Sequence, residues 1–286
     1  MPNPIAPDSR WCPPGPAMLF CPGDRPDRYQ KAADRADVVI LDLEDAVAAD
    51  NRDAAREALV ATQLDPDRTI VRINSSSTGE ARRDLAAIAE TLYRVVLVAK
   101  AESAEEVART EMQTIALIES PTGAVNVNEI AAAPNIIGMM WGAEDLVAGL
   151  GGTSSRFGPD EPRPGTYRDV ARHVRAAVRL AAAAHDLFAV DAVHLDIADV
   201  DGLRDEVRDA VALGYQATAC IHPSQVQTIR DGYRPSAEQV EWAGGVLAAA
   251  EEHAGVFSYD GRMVDGPVLS QARAVLTRAG VDPAQD

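Results

Sequence analysis

The feature that most constrains this chain is a rhythm of eight short apolar runs separated by stretches with helical spacing. The runs are Ala17–Pro22, Val38–Leu43, Thr69–Ile73, Val95–Ala99, Thr114–Ile118, Ile136–Met140, Ala192–Leu195 and Ala217–Ile221. They are apolar throughout rather than alternating, the pattern of strands buried on both faces of a parallel sheet. Ala-, Arg- and Glu-rich segments between them predict helices over Arg25–Ala36, Arg52–Ala61, Arg82–Thr91, Ala104–Arg109, Asn128–Ala133, Tyr167–Ala184 and Gly202–Leu213. Eight strand–helix units predict an α/β fold, a (β/α)8 TIM barrel. An open doubly wound sheet is the alternative. No Gly-rich dinucleotide fingerprint supports it, and Gly149-Leu150-Gly151-Gly152 lacks the lysine of a phosphate loop.

The chain has 286 residues, compatible with one barrel of roughly 250 residues and some additions. The Pro-rich opening, residues 1–16, predicts an extended arm, and residues 17–235 the barrel. Residues 236–286 hold a further helix, Ala237–His253, and a tail, Ser258–Gly280, expected to serve as a C-terminal lid. Acidic residues outnumber basic ones by 44 to 27, a net charge of −17. Such a surface argues against nucleic acid and against anionic membranes as partners, because both need a basic face. No apolar run approaches the ~20 residues of a membrane span. Cys12, Cys21 and Cys220 are odd in number and without CxxC spacing, which fits a reducing compartment. The opening has no basic-then-apolar leader, so the expected location is cytoplasmic.

In a barrel of this type the C-terminal ends of the strands form the active face. Those ends carry Asp42-Leu43-Glu44-Asp45, Arg72 with Asn74, Lys100, Glu119, Glu144-Asp145 and His222. Glu119 and Asp145, from adjacent strand ends, suit a hard divalent ion such as Mg2+, which takes one or two carboxylates plus waters and substrate oxygens. Helix capping is the alternative use for such acids. The five histidines show no zinc spacing. Arg72 lies opposite Val71 and Ile73 in alternation; if those two pack outward against helices it points into the barrel mouth, where it needs an acid, Glu44 for one, or an anionic ligand. Lys100 is either an ion-pair partner or a Schiff-base lysine. His222 is a candidate general base or a helix cap. Arg25, Arg28 and Lys31 make the start of the first helix locally basic, a possible pyrophosphate site or a solvated face.

Seven motifs together carry a resemblance. They are Leu19-Phe20-Cys21-Pro22-Gly23-Asp24-Arg25-Pro26, Ile40-Leu41-Asp42-Leu43-Glu44-Asp45-Ala46-Val47, Val71-Arg72-Ile73-Asn74, Leu117-Ile118-Glu119-Ser120-Pro121, Gly142-Ala143-Glu144-Asp145-Leu146, Ile221-His222-Pro223-Ser224-Gln225 and Asp260 to Val268. In this order the chain resembles the citrate lyase β-subunit-like proteins of the HpcH/HpaI aldolase superfamily. The resemblance implies a (β/α)8 barrel, a homotrimer or hexamer, that cleaves or forms a C–C bond in a β-hydroxyacyl-CoA. It implies Mg2+ on Glu119 and Asp145, with Glu119 thereby part of the substrate site, and Arg72 on the oxo-acid or carbonyl oxygen. Glu44 and Asp45 would fix Arg72 and metal-bound water. Asp265 would act as a catalytic acid or base from the neighbouring subunit's tail. Phe20, Arg25 and Lys31 would lie in the CoA-binding region. Two departures bear on the acyl group: Ala217-Thr218-Ala219 replaces the family's Gly-Lys, and Pro13-Pro14-Gly15-Pro16 replaces an Arg-Ser lead-in.

Overall fold

The computed structural model describes residues 10–75, 78–253 and 255–281; much of the expected N-terminal arm, residues 1–9, lies outside the described residues. Eight parallel strands close a barrel in chain order: β1 (Ala17–Pro22), β2 (Val38–Asp42), β3 (Thr69–Ile73), β4 (Val95–Val98), β5 (Gln113–Ile118), β6 (Ile136–Trp141), β7 (Phe188–Asp191) and β8 (Ala217–Cys220). The helices that follow them are α1 (Pro26–Ala33), α2 (Arg52–Ala61), α3 (Gly79–Ile88), α4 (Ala104–Ala108), the short α5 (Pro121–Val125) and α6 (Val127–Ala131), α7 (Glu144–Gly149), α8 (Asp169–Ala184), α9 (Val200–Leu213) and α10 (Gln225–Tyr233).

Parity along the strands builds the interior. Met18, Val38, Ile40, Ile70, Val95, Leu97, Ile115, Leu117, Met140, Val190, Ala217 and Ala219 share one apolar cluster, so every second residue of successive strands fills the barrel. Trp11 and Phe188 pack edge to face at 5.7 Å against this cluster. The Phe188 ring occupies the space that a side chain on Gly138 would need, the nearest approach being 2.4 Å. Helix ends carry the caps that local sequence supplies: Thr78, Ser103, Ser120 and Asp199 each accept a backbone N–H of the following turn. Helix α9 stops at Gly214, whose φ of +82° closes the left-handed cap.

The seventh strand corrects the reading of the sequence. It occupies Phe188–Asp191 rather than Ala192–Leu195. Asp191 looks like a strand terminator inside a nine-residue apolar stretch, yet it is only 4% exposed. Arg175 from α8 binds it through Nε at 2.9 Å and a second nitrogen at 2.7 Å, and Trp141 Nε1 donates to it at 2.7 Å. A buried carboxylate so fully paired sits in a strand without a solvation deficit.

The chain forms two compact units, Met1–Ile229 and Arg230–Asp286, with the division falling inside α10. In the second unit α11 (Ala237–Glu252) starts with a capping box between Ser236 and Gln239. A hairpin of β9 (Phe257–Tyr259) and β10 (Arg262–Val264) leads into α12 (Gly266–Arg278). Ala243, Val246, Val264, Ala272, Val275 and Leu276 form this unit's own core.

Candidate active site

The barrel mouth holds a cavity of about 330 Å³, bounded by Phe20, Asp42, Asp45, Ala46, Arg72, Leu117, Glu119, Met140 to Asp145, Val193, Leu195 and Ile221. Its centrepiece is Arg72, the inward-facing residue above Ile70 on β3. In the strand ladder Arg72 stands directly beside Asp42 on β2. Their side chains form a two-pronged pair: Nε donates to Oδ1 at 2.7 Å and NH2 to Oδ2 at 2.6 Å. The third nitrogen, NH1, lies 3.3 Å from Glu44 Oε2. Arg72 also stacks over Phe20, with the guanidinium carbon 4.9 Å from the ring centroid. Burial disfavours the charge on Arg72, but Asp42, then Glu44 and Glu119, outweigh it and hold the guanidinium protonated well above its ordinary range.

The sequence alone gives Asp42 no role apart from its neighbours. It reads there as the start of an acid run, Asp42-Leu43-Glu44-Asp45. The signal was parity: Val38 and Ile40 face inward, so Asp42 does too. Beyond its grip on Arg72, Asp42 accepts the backbone N–H of Glu44 at 2.9 Å and of Ala46 at 3.1 Å, which shapes the loop after β2.

Lys100 behaves as an ion-pair partner. Its ammonium contacts Glu44, lies 3.1 Å from Asp45 and 3.7 Å from Asp145. Burial works against its charge, but Glu44 and Glu119 overrule that and raise its pKa. A Schiff-base lysine needs the opposite shift. The residue has a φ of +51°, a left-handed conformation uncommon without glycine, and the turn aims its backbone N–H at Glu119 Oε1, 3.1 Å away. Of the two acids expected to fix Arg72, Glu44 reaches it, whereas the side-chain partner of Asp45 is Lys100.

Glu119 follows β5 and is 5% exposed. Burial pushes its carboxyl up to about 8, against the pull of Arg72 and Lys100, with Asp145 adding to the rise. A carboxylate this reluctant to ionise lacks a full counter-charge, the condition a divalent cation corrects. Gly142 makes room for it: a Cβ there would stand 2.8 Å from Glu119 Oε2 and 3.0 Å from its Cβ. Asp145 opens into the same cavity from the first turn of α7. These two acids fit a Mg2+ site of the two-carboxylate kind. Among the described residues no three His, Cys, Asp or Glu side chains converge as a closed metal cage.

The remaining expected residues lie further out. Arg25 is exposed and paired with Asp27 at 3.0 Å, and Lys31 is exposed in the last turn of α1; neither bounds the cavity, whereas Phe20 does. His222 Nδ1 accepts the backbone N–H of Ser224, which makes it a local cap at the start of α10. Asp265 belongs to the second unit and caps α12, accepting from Val268 N at 3.4 Å. Among the described residues no helix is long and apolar enough to cross a membrane.

Comparison with known proteins gives this mouth its context. Residues 16–223 match the family model described as HpcH/HpaI aldolase/citrate lyase. A citrate lyase subunit beta-like protein of Mycobacterium tuberculosis is 55% identical over 267 residues, covering 93% of this chain and 96% of that one. A (3S)-malyl-CoA thioesterase of Cereibacter sphaeroides is 35% identical over 277 residues, covering 92% and 94%. Among solved structures, CitE from M. tuberculosis in complex with magnesium, acetoacetate and coenzyme A superposes with a TM-score of 0.88 at 55% identity, over 93% of this chain and 98% of that one. With the closed barrel, the acid-lined mouth and the matched span in agreement, the chain belongs to the HpcH/HpaI aldolase/citrate lyase family.

Proposed function

We propose that this protein is a Mg2+-dependent carbon–carbon lyase that cleaves a β-hydroxyacyl-CoA into an acyl-CoA and an oxo acid. The observation that carries the reading is the placement of Arg72. It is a buried guanidinium locked by Asp42 and Glu44 beside a buried acid, Glu119, that is short of positive charge. Glu119 and Asp145 are the residues that would hold Mg2+. When bound, the ion supplies Lewis-acid polarisation of the substrate's oxygens. Arg72 uses the N–H donors that Asp42 and Glu44 leave over to oppose negative charge as the hydroxyl oxygen becomes a carbonyl and the thioester becomes an enolate. Because the pair with Asp42 is set by strand register, those donors need no reorganisation during the reaction. Lys100 stays protonated and holds Glu44 and Asp145 in place. The apolar wall of Phe20, Leu117, Met140, Val193, Leu195 and Ile221 excludes water from the enolate.

Asp265 delivers or removes the proton at the acyl-CoA α-carbon, supplied by a neighbouring subunit in a homotrimer or hexamer, and Arg25 and Lys31 bind the CoA phosphates. The enzyme works in the cytoplasm. The roles of Asp265, Arg25 and Lys31 and the oligomer rest on the family resemblance, the CoA site also on the coenzyme A in the M. tuberculosis CitE complex, and the location on free cysteines without CxxC spacing. The likeness to a malyl-CoA thioesterase raises a second reading, hydrolysis of the thioester. A panel of hydroxyacyl-CoA thioesters assayed with and without Mg2+ separates the two. Oxo-acid release at an equal rate with acyl-CoA supports the lyase. Free CoA with intact hydroxy acid supports hydrolysis. Turnover unaffected by EDTA refutes both metal-dependent versions.

A further inference from the structure

Behind the cavity, on its helix side, lies a buried carboxylate that the proposed reaction leaves unused. Asp84 on α3 is 0% exposed. Its Oδ1 accepts from Arg56 Nε of α2 at 2.8 Å. Its Oδ2 accepts twice from Asn74, from the backbone N at 2.9 Å and from Nδ2 at 2.8 Å. A carboxylate removed from water to this degree is stable only when its lone pairs are filled, and here three donors fill them. Two of the three belong to one residue, Asn74, directly after β3 and two positions beyond Arg72. Asn74 Nδ2 also donates to the carbonyl of Leu43 at 2.9 Å. Leu43 is the single residue between Asp42 and Glu44, the two acids that grip Arg72. Its own N–H donates to the carbonyl of Arg72 at 3.0 Å.

The connection runs from Arg56 through Asp84 and Asn74 to the peptide that spaces the bracket. We propose that Asp84 is a positioning residue: through Asn74 it fixes the end of β3 against the loop after β2, and so sets where the Arg72 guanidinium stands. This link adds to the β2–β3 ladder, the Leu43 N–H to Arg72 O bond and the side-chain bracket in joining the two strand ends. Asp84 itself is absent from the cavity wall and touches no reacting atom. Glu80 pairs with the same Arg56 from the solvent side, and its described hydrogen bonds go to Arg56 and Arg83 rather than Asn74, so it separates network stability from positioning.

The inference rests on the role given to Arg72 above, and its test uses the Mg2+-loaded enzyme. Asp84→Ala and Asn74→Ala should each lower kcat by about 10–100-fold, the scale of an ångström-sized misplacement, with KM changed less than about threefold. On an Arg72→Lys background the same substitutions should cost less than about threefold, because the group they position is gone. Glu80→Gln should lower the melting temperature and leave kcat unchanged. Hydrogen–deuterium exchange should quicken in peptides covering residues 42–46 and 72–75 of both variants. A folded Asn74→Ala enzyme with kcat within twofold of the parent overturns the proposal, as does a full loss on the Arg72→Lys background or unchanged exchange in those peptides. If Asp84→Ala does not fold, Asn74→Ala decides alone. If the parent cleaves no thioester, the lyase reading falls, and the exchange measurement still decides whether Asp84 orders the bracket.

Discussion

Metal binding should be strongly coupled to pH through Glu119. Burial raises its carboxyl to about 8 in the metal-free protein. At pH 7 about a tenth of the molecules carry the carboxylate, and at pH 6 about a hundredth, each unit being worth about 1.4 kcal/mol. The apparent Mg2+ association constant should therefore rise about tenfold between pH 6 and pH 7 and level off above about pH 9. At pH 7 each ion bound should release about 0.9 proton. Titration calorimetry in two buffers of different ionisation enthalpy reads both quantities. Stability carries the matching sign. The folded pKa lies above the unfolded one, so this group's contribution is complete below about pH 4.3. It is lost as pH rises towards 8, by about 5 kcal/mol in the metal-free state. Mg2+ should restore more stability the higher the pH. Glu119→Gln should remove the slope and weaken binding. An affinity flat from pH 6 to 8, with no proton release, would refute the reasoning.

Two further outcomes follow from the geometry and a third from the family resemblance. Arg72→Ala should reduce kcat by about 10²–10³, the usual cost of losing one charge-opposing donor group, and turnover at the parental rate in a steady-state assay would remove Arg72 from the chemistry. Gly142→Ala should weaken Mg2+ about 10–100-fold by displacing the Glu119 carboxylate that a new Cβ would meet at 2.8 Å; calorimetry showing unaltered affinity would count against Glu119 as a ligand. Asp265→Ala should retain Mg2+ affinity and lose cleavage, and mixing it with Arg72→Ala chains should recover part of the activity if subunits share sites; absence of recovery after demonstrated exchange would argue for sites built within one chain.

Much of this was legible in the sequence because strands in a parallel barrel are buried on both faces and announce themselves as apolar runs. Seven of the eight runs overlap the observed strands. The exception, Ala192–Leu195, misses β7 because Asp191 is polar in type and its partners, Arg175 and Trp141, are distant in sequence. Among the mouth residues, Glu119 was legible as a charge immediately following an apolar run, Arg72 as a charge inside one, and Asp145 as half of an acid pair a few residues past the sixth. Asp42 was hidden by its neighbours, since an acid run gives no sign of which member faces inward until strand parity is applied. Asp84 was out of reach for a different reason. It sits in a helix rich in charged residues, and nothing local marks it as the one withdrawn from water.

The pairing of Arg72 with Asp42 across adjacent strands has a consequence for how this scaffold can diversify. A cation whose position is dictated by ladder register is insulated from changes in the connecting segments. Val193, Leu195 and Ile221, by contrast, reach the cavity from beyond the ends of β7 and β8. Insertions or exchanges there can reshape the pocket for a different acyl chain while the bond-breaking apparatus stays on its staves, so selectivity can drift without the reaction being reinvented.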